Sequence, residues 1–200
     1  MVTAIKSEVA AYKRQRILQQ ASQMFFEKGY QTGTLELLAQ RLAVSKPFIY
    51  SYFTNKSEIL VEICETGIRQ SLLVVEAALA KSADPARQLA DIVAGVAREV
   101  IRYQDHVMVY QREMKSLAPA DARRILGLRH HFDQQLAAIL ERGRGFGQFD
   151  IDDAAMTALW IGGLLSWIAN WYRPNGRRAE SEVIASLIAM VGRVVRHDLS

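Results

Sequence analysis

Two hundred residues, half of them hydrophobic and only four of them proline, supply enough chain for one or two packed domains and exclude a low-complexity or extended polypeptide. The net charge of +4 is modest but uneven: residues 1–60 hold eight Lys/Arg against four acids, so the whole excess lies there and the remainder is balanced. A single cysteine excludes an intramolecular disulfide, and no basic stretch followed by an apolar run opens the chain, so no signal peptide is expected and a cytoplasmic location is.

In chain order, Ile17, Leu18, Ala21, Met24 and Phe25 share one face of a helix expected over 8–28, closed by Gly29. Leu35, Leu38, Ala39 and Leu42 recur at i, i+3, i+4 and i+7, the stripe of a short second helix that Thr34 caps. Ser45 caps a third, with Pro47 in the first turn, where its missing N–H costs nothing. At about 100° per residue, Ile49 and Phe53 point toward the second helix, while Pro47, Phe48, Tyr50 and Ser51 point away. Two short helices joined by a tight turn, with aromatics beside lysine on the outward face, match a helix-turn-helix, whose second helix enters the DNA major groove. The same pattern also fits an αα-corner in a helical core, with Tyr50, Tyr52 and Phe53 buried.

Thr54 or Asn55 caps a long helix from Lys56 to Lys81 that links the basic head to a neutral body, and Cys64 within it reads as a buried structural thiol. A helix is expected from Pro85 to about Gln104, a shorter one over about 105–116, and a long one from Pro119 to about Arg142. The cluster Gly143-Arg144-Gly145-Phe146-Gly147 follows a helix and lacks the Lys-Ser/Thr of a phosphate-binding loop, so it reads as a cap and turn. Ala154 to Tyr172 carries no charge and has the length of a borderline membrane span, but contains Thr157, Ser166 and Asn170. A helix apolar all round needs cover, which a partner subunit supplies. Gly162, Ser166 and Asn170 offer a stripe for close approach, leaving Trp160, Trp167 and Trp171 to point elsewhere. With a last helix over 180–197, these elements and their copies would form a four-helix dimer bundle; a hairpin within a monomer is the alternative.

The expected fold is therefore all-α, with about nine helices: a three-helix helix-turn-helix domain over 1–55 and a second helical domain over 56–200. Catalytic chemistry has no candidate constellation. None of His106, His130, His131 and His197 pairs with another at i, i+4, no nucleophile motif surrounds Cys64, and Asp150, Asp152 and Asp153 read as charges at a helix N-terminus. Neither a metal nor a cofactor is expected.

The ordered residues Arg16-Ile17-Leu18, Ala21, Met24-Phe25, Gly29-Tyr30, Thr34, Ala39, Val44-Ser45-Lys46, Tyr50, Tyr52-Phe53, Asn55-Lys56 and Leu60 resemble the N-terminal domain of tetracycline-repressor (TetR) type regulators. The resemblance covers roughly the first quarter to third of the chain. Two departures stand out: Ala43 where the family usually has Gly, and Phe48 where it has a small residue. A left-handed conformation at Ala43 would cost about 1 kcal/mol relative to Gly. The resemblance implies a homodimeric repressor that leaves a near-palindromic double-stranded DNA operator when a small hydrophobic effector binds its second domain. It sets Lys46, Phe48, Tyr50 and Ser51 near base edges or adjacent phosphates, with Ser45 and Pro47 opening the same helix, and Thr34, Tyr52 and Lys56 on phosphates. Phe48 has no group to hydrogen-bond a base, so it is expected to pack on a thymine methyl.

Effector-pocket walls are expected at Tyr103, Val107, Tyr110, Met114, Phe132, Leu136, Trp160 and Trp167, with ordinary core packing as the competing reading for each. The series Tyr110, Arg112-Glu113-Met114, Pro119, Asp121, Gly143, Gly147, Phe149, Trp171-Tyr172-Arg173-Pro174 and Gly176 resembles, less closely, a TetR subgroup associated with fatty-acid, steroid or aromatic-acid breakdown. Several members of that subgroup answer to acyl-CoA thioesters. Arg112, Arg129 and Arg173 would then be candidates for CoA phosphates, with ion pairs to Glu113 and Asp133 as the other explanation. Rival functions are an architectural helix-turn-helix protein without a ligand, a small all-α enzyme, and a membrane-attached sensor using residues 154–172.

Overall fold

The computed structural model describes the backbone over residues 2–199 and side chains over 7–199, so the Lys6 charge counted above lies outside the described side chains. Nine α-helices and no strand are found among the described residues: α1 Val2–Lys28, α2 Leu35–Leu42, α3 Lys46–Tyr50, α4 Lys56–Lys81, α5 Pro85–Arg102, α6 Gln104–Glu113, α7 Pro119–Gly145, α8 Ala154–Trp171 and α9 Glu180–Val194. A 3-10 turn over Met114–Ser116 joins α6 to the α7 approach. The all-α expectation therefore holds.

Local chemistry sets most boundaries. Thr34, Ser45, Asn55, Asp84 and Asp153 each cap the following helix through a side-chain oxygen that accepts from a first-turn backbone N–H. Between α5 and α6 a single residue, Tyr103 (φ −106°, ψ 32°), leaves helical space and serves both ends. Two ends differ from expectation. The helix α1 begins earlier, at Val2, and α9 stops at Val194, where Arg196 takes φ 52°. The glycine cluster ends α7 as a cap and turn, with the last helical residue at Gly145 and the C-cap at Phe146. Gly143 lies within the helix, where the Phe149 ring folds back onto it and leaves no room for a Cβ, and the chain turns at Gly147, φ 70°.

Two apolar clusters form the core. In the head, Ile17, Met24 and Phe25 of α1 meet Leu38 of α2, Ile49 of α3, Phe53, and Ile59, Leu60 and Ile63 of α4, all buried. Burying each such side chain stabilises the fold by about 1.5–3 kcal/mol, which is what holds a five-residue helix as short as α3 in place. This packing runs on into Val109, Leu117 and Ile125, so α4 and α6 belong to head and body at once. The second cluster joins α4, α5, α7, α8 and α9.

The small-residue stripe of α8 is used for close approach within the chain. Gly162 is buried, and the Arg129 guanidinium of α7 lies 2.9 Å from where a Cβ on Gly162 would stand, so the small-residue stripe faces inward to admit this cation. Asn170 likewise faces α6 and donates to Gln111. Trp160 (66% exposed), Trp167 and Trp171 project outward with Met156 and Leu159; Trp167 and Trp171 share a groove with Met190 of α9, and Val194 of α9 is exposed as well. Among the described residues, no helix is long and apolar enough to cross a membrane.

Candidate nucleic-acid interface and effector cavity

The turn between α2 and α3 is built on Ala43, which adopts φ 52°, ψ 42°. Val44 N–H donates to Ala39 O (3.0 Å) and Ala43 N–H to Gln40 O (3.1 Å), the paired bonds of a Schellman cap. Alanine occupies here a conformation that glycine adopts without a Cβ penalty. The turn releases α3 so that Ile49 and Phe53 face inward and Pro47, Tyr50 and Ser51 stand exposed. Phe48 is half-buried: its ring leans on Tyr52 (centroids 5.2 Å apart), with the Lys13 ammonium 5.8 Å away. Tyr52 is half-buried as well, and the αα-corner reading fails for Tyr50, which is 48% exposed.

The cations of this surface are not all free. Lys46 pairs with Glu36 across the α2–α3 angle, which raises the lysine and lowers the carboxylate relative to their ordinary values. Lys56, at the start of α4, lies over the Tyr30 ring (4.3 Å) and donates to Gln31 O (3.3 Å); burial pulls its ammonium down, against the charge of Glu113. Arg14 bonds Tyr52 O, Glu58 and Glu62 and lies 4.1 Å over Phe53. It ties the end of the reading pair to α1 and α4, a positioning role that its place in a basic segment did not signal.

Behind the head, α4 to α8 line a partly open cavity of about 150 Å³ whose wall includes Ile68, Val96, Val100, Val107, Phe132 and Leu165, with His106, Tyr110, Gln111, Arg129 and Ser166 as polar members. Of the expected wall residues, Val107, Tyr110 and Phe132 line it. Leu136 is wholly buried in the body core, Met114 packs against the head core, and Trp160 and Trp167 stand on the outer face of α8. Tyr103 lines instead a wider cleft between α1, α4 and the start of α6, with His106 as the shared wall. Which apolar residue borders a void is decided by tertiary packing that periodicity does not encode. His106 went unnoticed as a wall residue; the available signal was its i, i+4 spacing from Tyr110. Cys64 also borders the cavity, its thiol pushed up to about 12 by burial and by the charge of Glu113.

The three arginines considered for phosphates have protein partners. Arg129 Nε donates to Asp133 at 3.1 Å, and Arg173 donates to Tyr172 O at 2.7 Å. Arg112 donates to Phe25 O and to Phe26 O (2.8 Å), capping carbonyls in the last turns of α1. Next to it, buried Glu113 accepts from Tyr30 N–H (3.3 Å). Thus the helix that walls the cavity also grips the end of α1. Among the described residues no group of three or more His, Cys, Asp or Glu is placed to hold a metal.

Comparison with known proteins finds relatives for both parts of the chain. Residues 17–63 match the family described as bacterial regulatory proteins, tetR family, and residues 82–195 match the tetracyclin repressor-like C-terminal domain. The HTH-type transcriptional repressor NicS of Pseudomonas putida is 24% identical over 188 residues, covering 92% of this chain and 87% of that one. Among solved structures, the TetR family regulator PfmR from Thermus thermophilus superposes with a TM-score of 0.81 at 32% identity, covering 91% of this chain and 98% of that one. AibR, in its complex with isovaleryl coenzyme A and operator DNA, gives a TM-score of 0.77 at 20% identity over 91% of this chain and 97% of its own. With both halves of the family's architecture matched in order, a capped helix-turn-helix in front and a hollow helical body behind, the chain belongs to the TetR family of DNA-binding transcriptional regulators.

Proposed function

We propose that this protein is a homodimeric repressor that leaves a palindromic operator when a small hydrophobic effector fills the body cavity. The observation that carries the reading is the double engagement of α6, whose His106, Val107 and Tyr110 wall the cavity while Arg112 and Glu113 hold α1 and Tyr30. A ligand that displaces α6 pulls on the base of the head. In a two-fold dimer, a tilt of each head changes the distance between recognition helices, which must meet half-sites about 34–36 Å apart or a multiple of that. The ligand acts through its preference for the conformer with misplaced heads.

The exposed tryptophans of α8 with Met190 and Val194 of α9 form the apolar surface expected of a four-helix dimer interface. Lys46, Phe48, Tyr50 and Ser51 are assigned to base edges and adjacent phosphates, with Ser45 and Pro47 presenting them, and Thr34, Tyr52 and Lys56 to phosphates. Acyl-CoA thioesters are the effector class to test first, because AibR is solved with isovaleryl coenzyme A and a cavity of about 150 Å³ suits a short branched acyl group. The coenzyme would then lie outside the cavity. Selection of bound duplexes from a random pool, followed by competition with isovaleryl-CoA and benzoyl-CoA, tests the reading. Enrichment of one palindrome and its release by a thioester are expected. Failure to enrich any palindrome overturns it, and enrichment without release by any acyl-CoA or aromatic acid leaves a ligand-free DNA-binding protein in its place.

A further inference from the structure

We propose that His106 and Tyr110 form a polar clamp in the cavity that holds one uncharged oxygen, a carbonyl or hydroxyl, of a ligand whose buried remainder is apolar and no larger than a ring or short branched chain. This rests on the reading of the cavity as the effector site. The two residues stand one turn apart on α6, at the i, i+4 spacing that sets side chains on one face, and both border the void. His106 is 6% exposed, and among the described residues neither its ring nor the Tyr110 hydroxyl has a hydrogen-bond partner; the ring meets Tyr103 edge-on at 5.3 Å. Tyr110 is half-buried, and both side chains keep hydrogen-bonding capacity that a ligand oxygen in the cavity can use.

Charge selects the kind of oxygen. The Arg129 guanidinium at the same wall is matched by Asp133, 3.1 Å from its Nε, so the cavity's cation is already neutralised. Burial also keeps the imidazole in its neutral form. A carboxylate would bring an uncompensated charge among Ile68, Val96, Val100, Phe132 and Leu165, whereas a thioester carbonyl accepts from Tyr110 O–H or an imidazole N–H without one. Size limits the rest of the ligand, since about 150 Å³ is the scale of a cavity that accepts benzene. Because both clamp residues sit on α6, the ligand's polar bonds act on the same helix that holds α1 through Arg112.

Titration calorimetry with the isovaleryl and benzoyl thioesters of N-acetylcysteamine, and with isovalerate and benzoate, tests the clamp on the full-length protein and on His106→Phe and Tyr110→Phe. The thioesters are expected to bind at least ~10-fold more tightly than the carboxylates, and each substitution to weaken thioester binding by about 3- to 10-fold with little effect on carboxylates. Should His106→Phe fold poorly, Tyr110→Phe, which removes one oxygen and no volume, carries the test alone. Equal or tighter binding of the carboxylates, or unchanged thioester affinity in the variants, overturns the clamp and leaves the effector-site reading standing. A wild-type protein that binds none of these compounds and no acyl-CoA overturns the effector-site reading and the clamp with it.

Discussion

Mild acid is expected to destabilise this protein through His106. Its imidazole has an ordinary value of 6.5, and burial alone lowers it to about 4 in the folded state. A depressed folded-state value means that the neutral form is the one the fold accepts. The associated stability is full above the unfolded value of 6.5 and is lost as pH falls toward 4. At about pH 5.5 some ten in eleven unfolded-chain imidazoles are protonated but almost none in the fold, so linkage gives a loss of about 1.3 kcal/mol relative to about pH 7.5. For a chain of this size that corresponds to about 3–5 °C in Tm. Thermal unfolding of the wild type and His106→Gln, at both pH values and one protein concentration, isolates the contribution. Asp105, its carboxyl raised by burial and by the charge of Glu27, is common to both proteins. If the two proteins lose equal stability on acidification, His106 is not buried in a neutral form and the reasoning fails.

Ala43→Gly relieves the left-handed cap of α2 and should stabilise the protein by about 0.5–1 kcal/mol, read as a rise in Tm; a fall would mean that unfolded-state entropy outweighs the strain. Glu36→Gln frees Lys46 and removes a negative charge from the reading surface, so affinity for any duplex should rise about two- to five-fold, and a gain confined to one sequence would contradict this. Phe48→Ala and replacement of operator thymine by uracil should remove one and the same contact, so that combining them costs no more than either alone in a binding assay; additive losses refute the methyl contact. Arg112→Ala should leave operator affinity nearly unchanged without effector while weakening effector-driven release in the same gel-shift titration, and full release in the variant would remove Arg112 from the coupling.

The head was legible because its signals are local. A cap at Thr34 or Ser45, a proline in a first turn and an i, i+4, i+7 stripe each act within a few residues, and every one of them recurs in the folded protein. The direction of α8 was not legible for the opposite reason. A helix without charge has no polar face to orient it, and its rotation is fixed by a residue far away in sequence, Arg129, which requires the space at Gly162. Of the expected wall residues outside the cavity, Leu136 and Met114 pack in the two cores while Trp160 and Trp167 are exposed, since a void is a property of the packed whole.

The helix α6 shows what such non-local information carries. At its first turn Gln104 donates to Ala169 O (2.7 Å) and Tyr172 O (2.9 Å), the carbonyls that end α8. At its last turn Arg112 donates to the carbonyls of Phe25 and Phe26, which end α1. Apolar packing is non-directional and lets helices slide, whereas a hydrogen bond to a helix-end carbonyl fixes position within a few tenths of an ångström. A ten-residue helix held this way at both ends does not shift without straining one set of bonds, and the ends it joins are the helix bearing the exposed tryptophans and the helix that braces the reading pair. A displacement of α6 would therefore be delivered to α1 or to α8, not dissipated in the core between them.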